Sequence, residues 1–164
     1  MALEVRTFGD PVLKSRATPV DKFDESLERL AEDMLETMRE HEGVGLAANQ
    51  VGRLKRILVA ALEDEEYVIV NPEINKIGDE NEKDMEGCLS IPEIQVEVER
   101  PTRVTVSGQD VSGSPVRLEA GGLLARVLQH ELDHLNGVLI LDRTDRESRK
   151  AAMRELRERL LARR

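Results

Sequence analysis

The stretch Gln129-His130-Glu131-Leu132-Asp133-His134 constrains this chain more than any other. Residues four apart on a helix lie one turn above each other on the same face. In a helix, His130 and His134 therefore turn two imidazoles toward one point, and Glu131 sits beside the first. H-E-x-x-H is the pattern by which a helix binds a metal ion through two histidines and keeps a carboxylate near its water. The surroundings support a helix. Gly121-Gly122 breaks the chain before it, Leu123, Leu124, Val127, Leu128, Leu132 and Leu135 make an apolar stripe, and Asn136-Gly137 supplies a stop. Two of the chain's three histidines fall in this one motif, which weighs against a chance pair of core histidines.

Composition limits what surrounds that helix. A chain of 164 residues suits one domain, residues 1–164, with a sizeable core. Aromatic residues are only 2% of it, so the core must be aliphatic. The net charge of −9 argues against nucleic-acid binding by the molecule as a whole. Cys88 is the only cysteine, which excludes an internal disulfide and fits a reducing compartment. The segment Met1 to Pro11 carries Glu4, Arg6 and Asp10 and lacks the apolar core of a signal peptide. No apolar run reaches membrane-spanning length, so a cytoplasmic protein without membrane contact is expected.

Along the chain, residues 5–20 read as irregular around Gly9-Asp10-Pro11 and Pro19. A helix is expected from about Asp24 to His41, with Asp24 as N-cap and Leu27, Leu30, Ala31, Met34, Leu35 and Met38 on one face. His41 at its end reads as a solvated residue favoured by the helix dipole. Arg56 to Leu62 and Tyr67 to Val70 read as strands around an acidic turn. Asn71-Pro72 is expected to break the second, leaving Glu73 to Ile77 as a short strand and Gly78 to Asp84 as a polar loop. Ile94, Val96 and Val98 alternate with polar residues, and Val104 to Val106 and Val116 to Leu118 give two more strands. A short strand at Val138 to Leu141 and a charged helix from about Asp145 close the chain. The expected class is α+β, antiparallel strands around a central metal-binding helix with an N-terminal and a C-terminal helix.

Two histidines leave a tetrahedral site short of a protein ligand and a water. Cys88 lies in the tight stretch Glu86-Gly87-Cys88-Leu89-Ser90-Ile91-Pro92, where a thiolate could be presented at a fixed angle. Most lone cysteines are small buried hydrophobes, but beside H-E-x-x-H this one is a candidate ligand. Gly43-Val44-Gly45-Leu46-Ala47-Ala48-Asn49-Gln50 lacks the spacing of a phosphate loop, yet Gln50 offers an N–H donor for a developing oxyanion.

Residues 43–50, Glu86 to Ser90 and Gln129 to His134 together resemble peptide deformylase, in that family's order and at similar spacing. The likeness extends from Gly9-Asp10-Pro11-Val12-Leu13 through Asp142. It implies an α+β fold and removal of the formyl group from N-formylmethionine at the N-termini of nascent polypeptides. It also implies one divalent metal, Fe²⁺ in the cell, with Zn²⁺, Ni²⁺ or Co²⁺ able to replace it. By the same resemblance, Cys88, His130 and His134 hold the metal and Glu131 moves the proton. The Gln50 side chain and the Leu89 backbone N–H stabilise the oxyanion. Val44, Leu123 and Val127 line a methionine pocket with Glu86 at its rim, and the Gly45 backbone binds peptide like a strand edge. Two positions depart from the family's pattern: Gln95 stands where Arg is common, and Ile140 where Phe is common. Another H-E-x-x-H metallohydrolase, such as an endopeptidase, would need a cleft open at both ends. A non-catalytic relative would usually lack a ligand or the base, and here all are present.

From Arg143 on, nine basic and four acidic residues leave a balance of +5, so the remainder of the chain carries −14. On a helical wheel, Arg146, Lys150, Arg154, Arg157 and Arg164 share a sector. Met153, Leu156 and Leu160 form a separate apolar stripe that would dock on the body. The basic sector either complements the helix dipole or leads the enzyme to ribosomal RNA, where its substrates emerge.

Overall fold

In the computed structural model, which describes residues 1–162, the elements follow in order. They are α1 (Glu25–Glu40), β1 (Gly45–Ala47), β2 (Ile57–Leu62), β3 (Glu65–Ile77), β4 (Asn81–Cys88), β5 (Ile91–Pro101), β6 (Arg103–Gln109), β7 (Pro115–Gly121), α2 (Gly122–Leu135), α3 (Ile140–Arg143) and α4 (Arg146–Ala162). Short 3₁₀ turns occupy Pro11–Lys14 and Ala48–Val51. The strands are antiparallel, in a five-stranded sheet ordered β1-β2-β3-β6-β7 and a separate β4-β5 hairpin.

Local chemistry explains most boundaries. The Asp24 carboxylate accepts from the Leu27 N–H and starts α1, whose buried face is Leu27, Leu30, Ala31, Met34 and Met38. Glu63 and Asp64, at φ 52° and 65°, make the two-residue β2–β3 turn whose twist matches the strands it joins. Gly137 ends the turn after α2 at φ 74°, and a Cβ there would meet the Lys14 carbonyl oxygen at 2.5 Å. Three aliphatic clusters form the core. One packs α2 on the large sheet, one packs α1 on β1 and β2, and one joins β5, α3 and α4. The central helix α2 thus lies between the large sheet and the hairpin.

Several expectations change. Asn71-Pro72 does not break the strand. It forms a bulge inside β3, with Asn71 at φ 51° and Pro72 where its missing N–H costs no ladder bond. The Asn71 side chain instead ties down the N-terminal segment, accepting from the Val20 N–H and donating to the Val20 carbonyl. The polar loop expected from Gly78 to Asp84 is mostly strand: β4 begins at Asn81. The strand expected at Val138 to Leu141 is the short helix α3, started by Asp142, whose carboxylate accepts from the Leu139 N–H at 2.9 Å. The apolar stripe of α4 is shorter than expected, with Leu156 buried and Leu160 58% exposed. Arg163 and Arg164, counted in the terminal charge balance, lie outside the described residues.

Candidate active site

Helix α2 is buried along most of its length, and its H-E-x-x-H face looks toward the turn that ends β4. Cys88 at that turn brings its Sγ to 3.3 Å from His134 Nε2. His134 Nε2 is in turn 3.2 Å from His130 Nε2. The donor atoms of Cys88, His130 and His134 all lie within 4.8 Å of one another. Two nitrogens about 2.1 Å from one tetrahedral ion stand about 3.4 Å apart, so the donor set has the size of a metal site. Two further features fit a bound cation. Glu131 Oε1, beside the donor atoms, is buried without a hydrogen-bond partner among the described residues. Burial disfavours a charged His130, yet Glu131, Cys88 and Glu86 outweigh it and hold the ring well above its ordinary pKa. The negative charge that favours a proton there is of the sign that favours a metal cation. His134 is pushed well below its ordinary value by burial and by the positive charge of His130 and Arg100, which leaves a neutral ring for ligation.

The buried carboxylate of Glu86 fixes the first imidazole. It is expected at the rim of a pocket; it lines the cavity described below, 6% exposed, and lies beneath His130. His130 Nδ1 stands 2.9 Å from Glu86 Oε1, and a carboxylate can only accept, so the ring's Nε2 is left for the site. Arg100 donates twice to Glu86, and Arg126 donates to the same carboxylate and to the Val98 and Glu82 carbonyls. Burial pushes the Glu86 carboxyl up, but hydrogen bonds from His130 and Arg100 and the charge on both outweigh it, giving a pKa of about 2. Arg100 also reaches Asp133 at 2.9 Å, and Asp133 accepts two bonds from Arg143 on α3. This chain of charges joins β4, β5, α2 and α3 beneath Cys88, His130 and His134. Sequence reasoning missed Arg100, Arg126 and Asp133 as parts of the site. One signal was available: Arg126 lies four residues before His130, on the same face of a buried helix.

Gln50 is buried in the 3₁₀ turn after β1. Its Oε1 accepts from the Ala47 N–H at 2.9 Å, which orients Nε2 toward Ser90 Oγ at 3.1 Å and Cys88 Sγ at 3.5 Å. The side-chain donor thus faces the same space as the sulfur. Glu131 is 4% exposed, and burial raises its carboxyl to about 7, with His130 pulling it down and Glu86 pushing it up. A base with a pKa near 7 suits proton transfer at neutral pH.

A cavity of about 890 Å³ opens above these groups. Gln50, Cys88, His130 and Glu131 line it, as do Val44, Gly45, Leu89, Leu123 and Val127. Gly45 is there because nothing larger fits: a Cβ would come 2.5 Å from Glu131 Oε2 and 2.9 Å from Val127. Gln95 lines the cavity as well, whereas Ile140 is buried in the cluster joining β5, α3 and α4. His41 is exposed at the end of α1 and stands at the cavity mouth.

Comparison with known proteins accords with this geometry. The family model described as polypeptide deformylase matches residues 2–150. A peptide deformylase of Dictyoglomus thermophilum is 51% identical over 150 residues, 92% of this chain and 97% of the relative. One from Thermotoga neapolitana is 55% identical over 139 residues, 85% of each chain. The crystal structure of a peptide deformylase from Legionella pneumophila superposes with a TM-score of 0.92 at 41% identity, covering 100% of this chain and 99% of that one.

Proposed function

This chain belongs to the peptide deformylase family, metal-dependent hydrolases that remove the formyl group from the N-terminal methionine of nascent peptides, and we propose which residues do the work. Cys88, His130 and His134 hold the metal, and Glu131 is the general base. The observation that carries this assignment is the convergence of three donor atoms beside a buried carboxylate with one unpartnered oxygen.

When bound, a divalent ion lowers the pKa of a coordinated water from about 15.7 toward 7 and polarises the formyl carbonyl. Glu131 takes the proton of the attacking water and later delivers it to the departing amine. Gln50 Nε2 and the Leu89 backbone N–H donate to the formyl oxygen as it gains negative charge. One such donor is worth about 3 kcal/mol of barrier. Val44, Leu123 and Val127 receive the methionine side chain. β1 is an edge strand of the large sheet, so the Gly45 backbone offers the peptide a pairing edge. Glu86 stands at the rim of the methionine pocket and orients His130.

The ion is Fe²⁺ in the cell, with Zn²⁺, Ni²⁺ or Co²⁺ as functional replacements. A thiolate among the ligands is open to oxidation, which supports a reducing, cytoplasmic setting. No helix among the described residues is long and apolar enough to cross a membrane. The basic sector of α4 guides the enzyme to ribosomes. Anaerobic purification with metal analysis, followed by formate release from a formyl-Met peptide, tests the assignment. A Cys88→Ser variant should bind the ion markedly less tightly, and unchanged affinity would remove Cys88 from the ligand set.

A further inference from the structure

The turn that joins β4 to β5 is two residues long, Leu89 and Ser90, between the paired Cys88 and Ile91. Leu89 lines the cavity, whereas Ser90 is fully buried and stands outside it, beyond the reach of substrate. A buried hydroxyl is costly unless it is hydrogen-bonded. The Ser90 hydroxyl has one partner among the described residues, Gln50 Nε2, which donates to it at 3.1 Å.

A primary amide carries two N–H groups in one plane with its oxygen. In Gln50 the oxygen is held by the Ala47 N–H, and one N–H is taken by Ser90. The direction of the second N–H is then fixed. It faces Cys88 Sγ, 3.5 Å from Nε2, and so points into the cavity that both residues line. One short segment pins the two backbones as well. The Arg6 N–H donates to the Gln50 carbonyl at 2.6 Å and the Phe8 N–H to the Ser90 carbonyl at 2.8 Å. Without the Ser90 oxygen, the rear N–H of Gln50 would be a buried donor with no acceptor. The amide would then gain by turning that N–H toward the sulfur, which tilts the other away from its place.

We propose that Ser90 is a positioning residue for the reaction: it occupies one N–H of Gln50 and thereby aims the other at the formyl oxygen. The proposal rests on the deformylase reading of the same site, in which Gln50 stabilises the oxyanion.

Ser90→Ala removes the acceptor and Ser90→Thr keeps it. Both are compared with wild type in metal content, thermal unfolding and hydrolysis of a short formyl-Met peptide. Ser90→Ala should keep its metal, and its Tm should change by only a few degrees. Its kcat should fall about tenfold, short of the roughly 10²–10³-fold loss for removing an oxyanion donor outright. KM should hold steady, because the misplaced bond strengthens only as charge develops on the formyl oxygen. Ser90→Thr should recover most of the lost kcat. The decisive comparison is made in Gln50→Ala enzyme. There Ser90→Ala should change kcat by less than about twofold, since a residue that acts through Gln50 has nothing left to orient. An unchanged kcat in Ser90→Ala, or the same fold loss with and without Gln50, overturns the proposal. Loss of the metal or of the thermal transition in Ser90→Ala does so too, by giving Ser90 a structural role. Absence of formate release by metal-loaded wild type would overturn the catalytic reading itself, and this proposal with it.

Discussion

An unpartnered carboxylate oxygen in a protein interior is costly and persists where a substrate or water completes its bonding. Glu131 is in that position, and Glu131→Gln preserves its shape while removing its ability to accept a proton. Metal content should be unchanged and formate release should fall by at least about 10²-fold. Wild-type turnover in fully metallated Glu131→Gln enzyme would show that another group is the base. The space behind Glu131 is equally specific. In Gly45→Ala the added methyl meets Glu131 Oε2 and Val127 at 2.5 and 2.9 Å, and small-to-large changes of this kind cost about 1–3 kcal/mol. Turnover should drop more than thermal stability does, and an unchanged kcat would mean that Glu131 can give way freely. The residues legible in the sequence are those whose spacing is set by one element. His130, Glu131 and His134 share a helix face, and Cys88 is the only thiol. Arg100 and Asp133 are not legible, because they meet only where β5 crosses α2.

Elements show the same division. α1 and α2 are legible because an apolar stripe of helical period agrees with the end signals, Asp24 before α1 and Gly121-Gly122 and Asn136-Gly137 around α2. β4 is not, because both its faces are largely exposed and its sequence, Asn-Glu-Lys-Asp-Met-Glu-Gly-Cys, has no alternation to read. It is a strand because β5 supplies a partner from Arg100 to Val96. α3 reads as a strand from its apolar run, but Leu139 to Leu141 have no strand to pair with and are buried between β5 and α4. Asp142 decides the outcome by capping α3 and accepting from Lys14 at 2.5 Å, which also ties α3 to the N-terminal 3₁₀ turn. Burial pushes its carboxyl up, but the Lys14 and Leu139 hydrogen bonds outweigh it and hold the pKa below the ordinary 3.8. A depressed folded pKa contributes stability above the unfolded value and loses it as pH falls through the folded one. Asp142→Asn should therefore lower Tm at pH 7, and the gap to wild type should narrow below 3.8. Thermal unfolding at the two pH values checks this, and an equal gap at both would rule out a charge-dependent role.

At the scale of the whole molecule the charge is divided, with −14 before Arg143 and +5 from there on. In the structure Arg146, Lys150, Arg154 and Arg157 are exposed, and none is in an ion pair among the described residues. Arg143 is committed to Asp133, and Arg159 to Glu93 and Glu155; of the exposed α4 cations with no ion pair among the described residues, all but Arg149 sit along one sector of the helix. A dipole-complementing role would need basic residues only in the last turn, whereas this sector begins at the first residue of the helix. That distribution supports a polyanion as the partner, and ribosomal RNA is the one found where formylated chains emerge. Deleting the helix is a poor test, because Ala152 and Leu156 are buried in the cluster with β5 and α3. Arg146, Lys150, Arg154 and Arg157 changed together to Gln leave that packing in place. The variant should bind ribosomes more weakly at low salt while hydrolysing a short formyl-Met peptide at close to the wild-type rate. Each phosphate that is no longer neutralised should flatten the log–log dependence of affinity on salt by about 0.7–0.9. Sedimentation with ribosomes over a salt series measures both effects. Equal affinities and equal salt slopes for the two proteins would assign the basic sector to solubility alone.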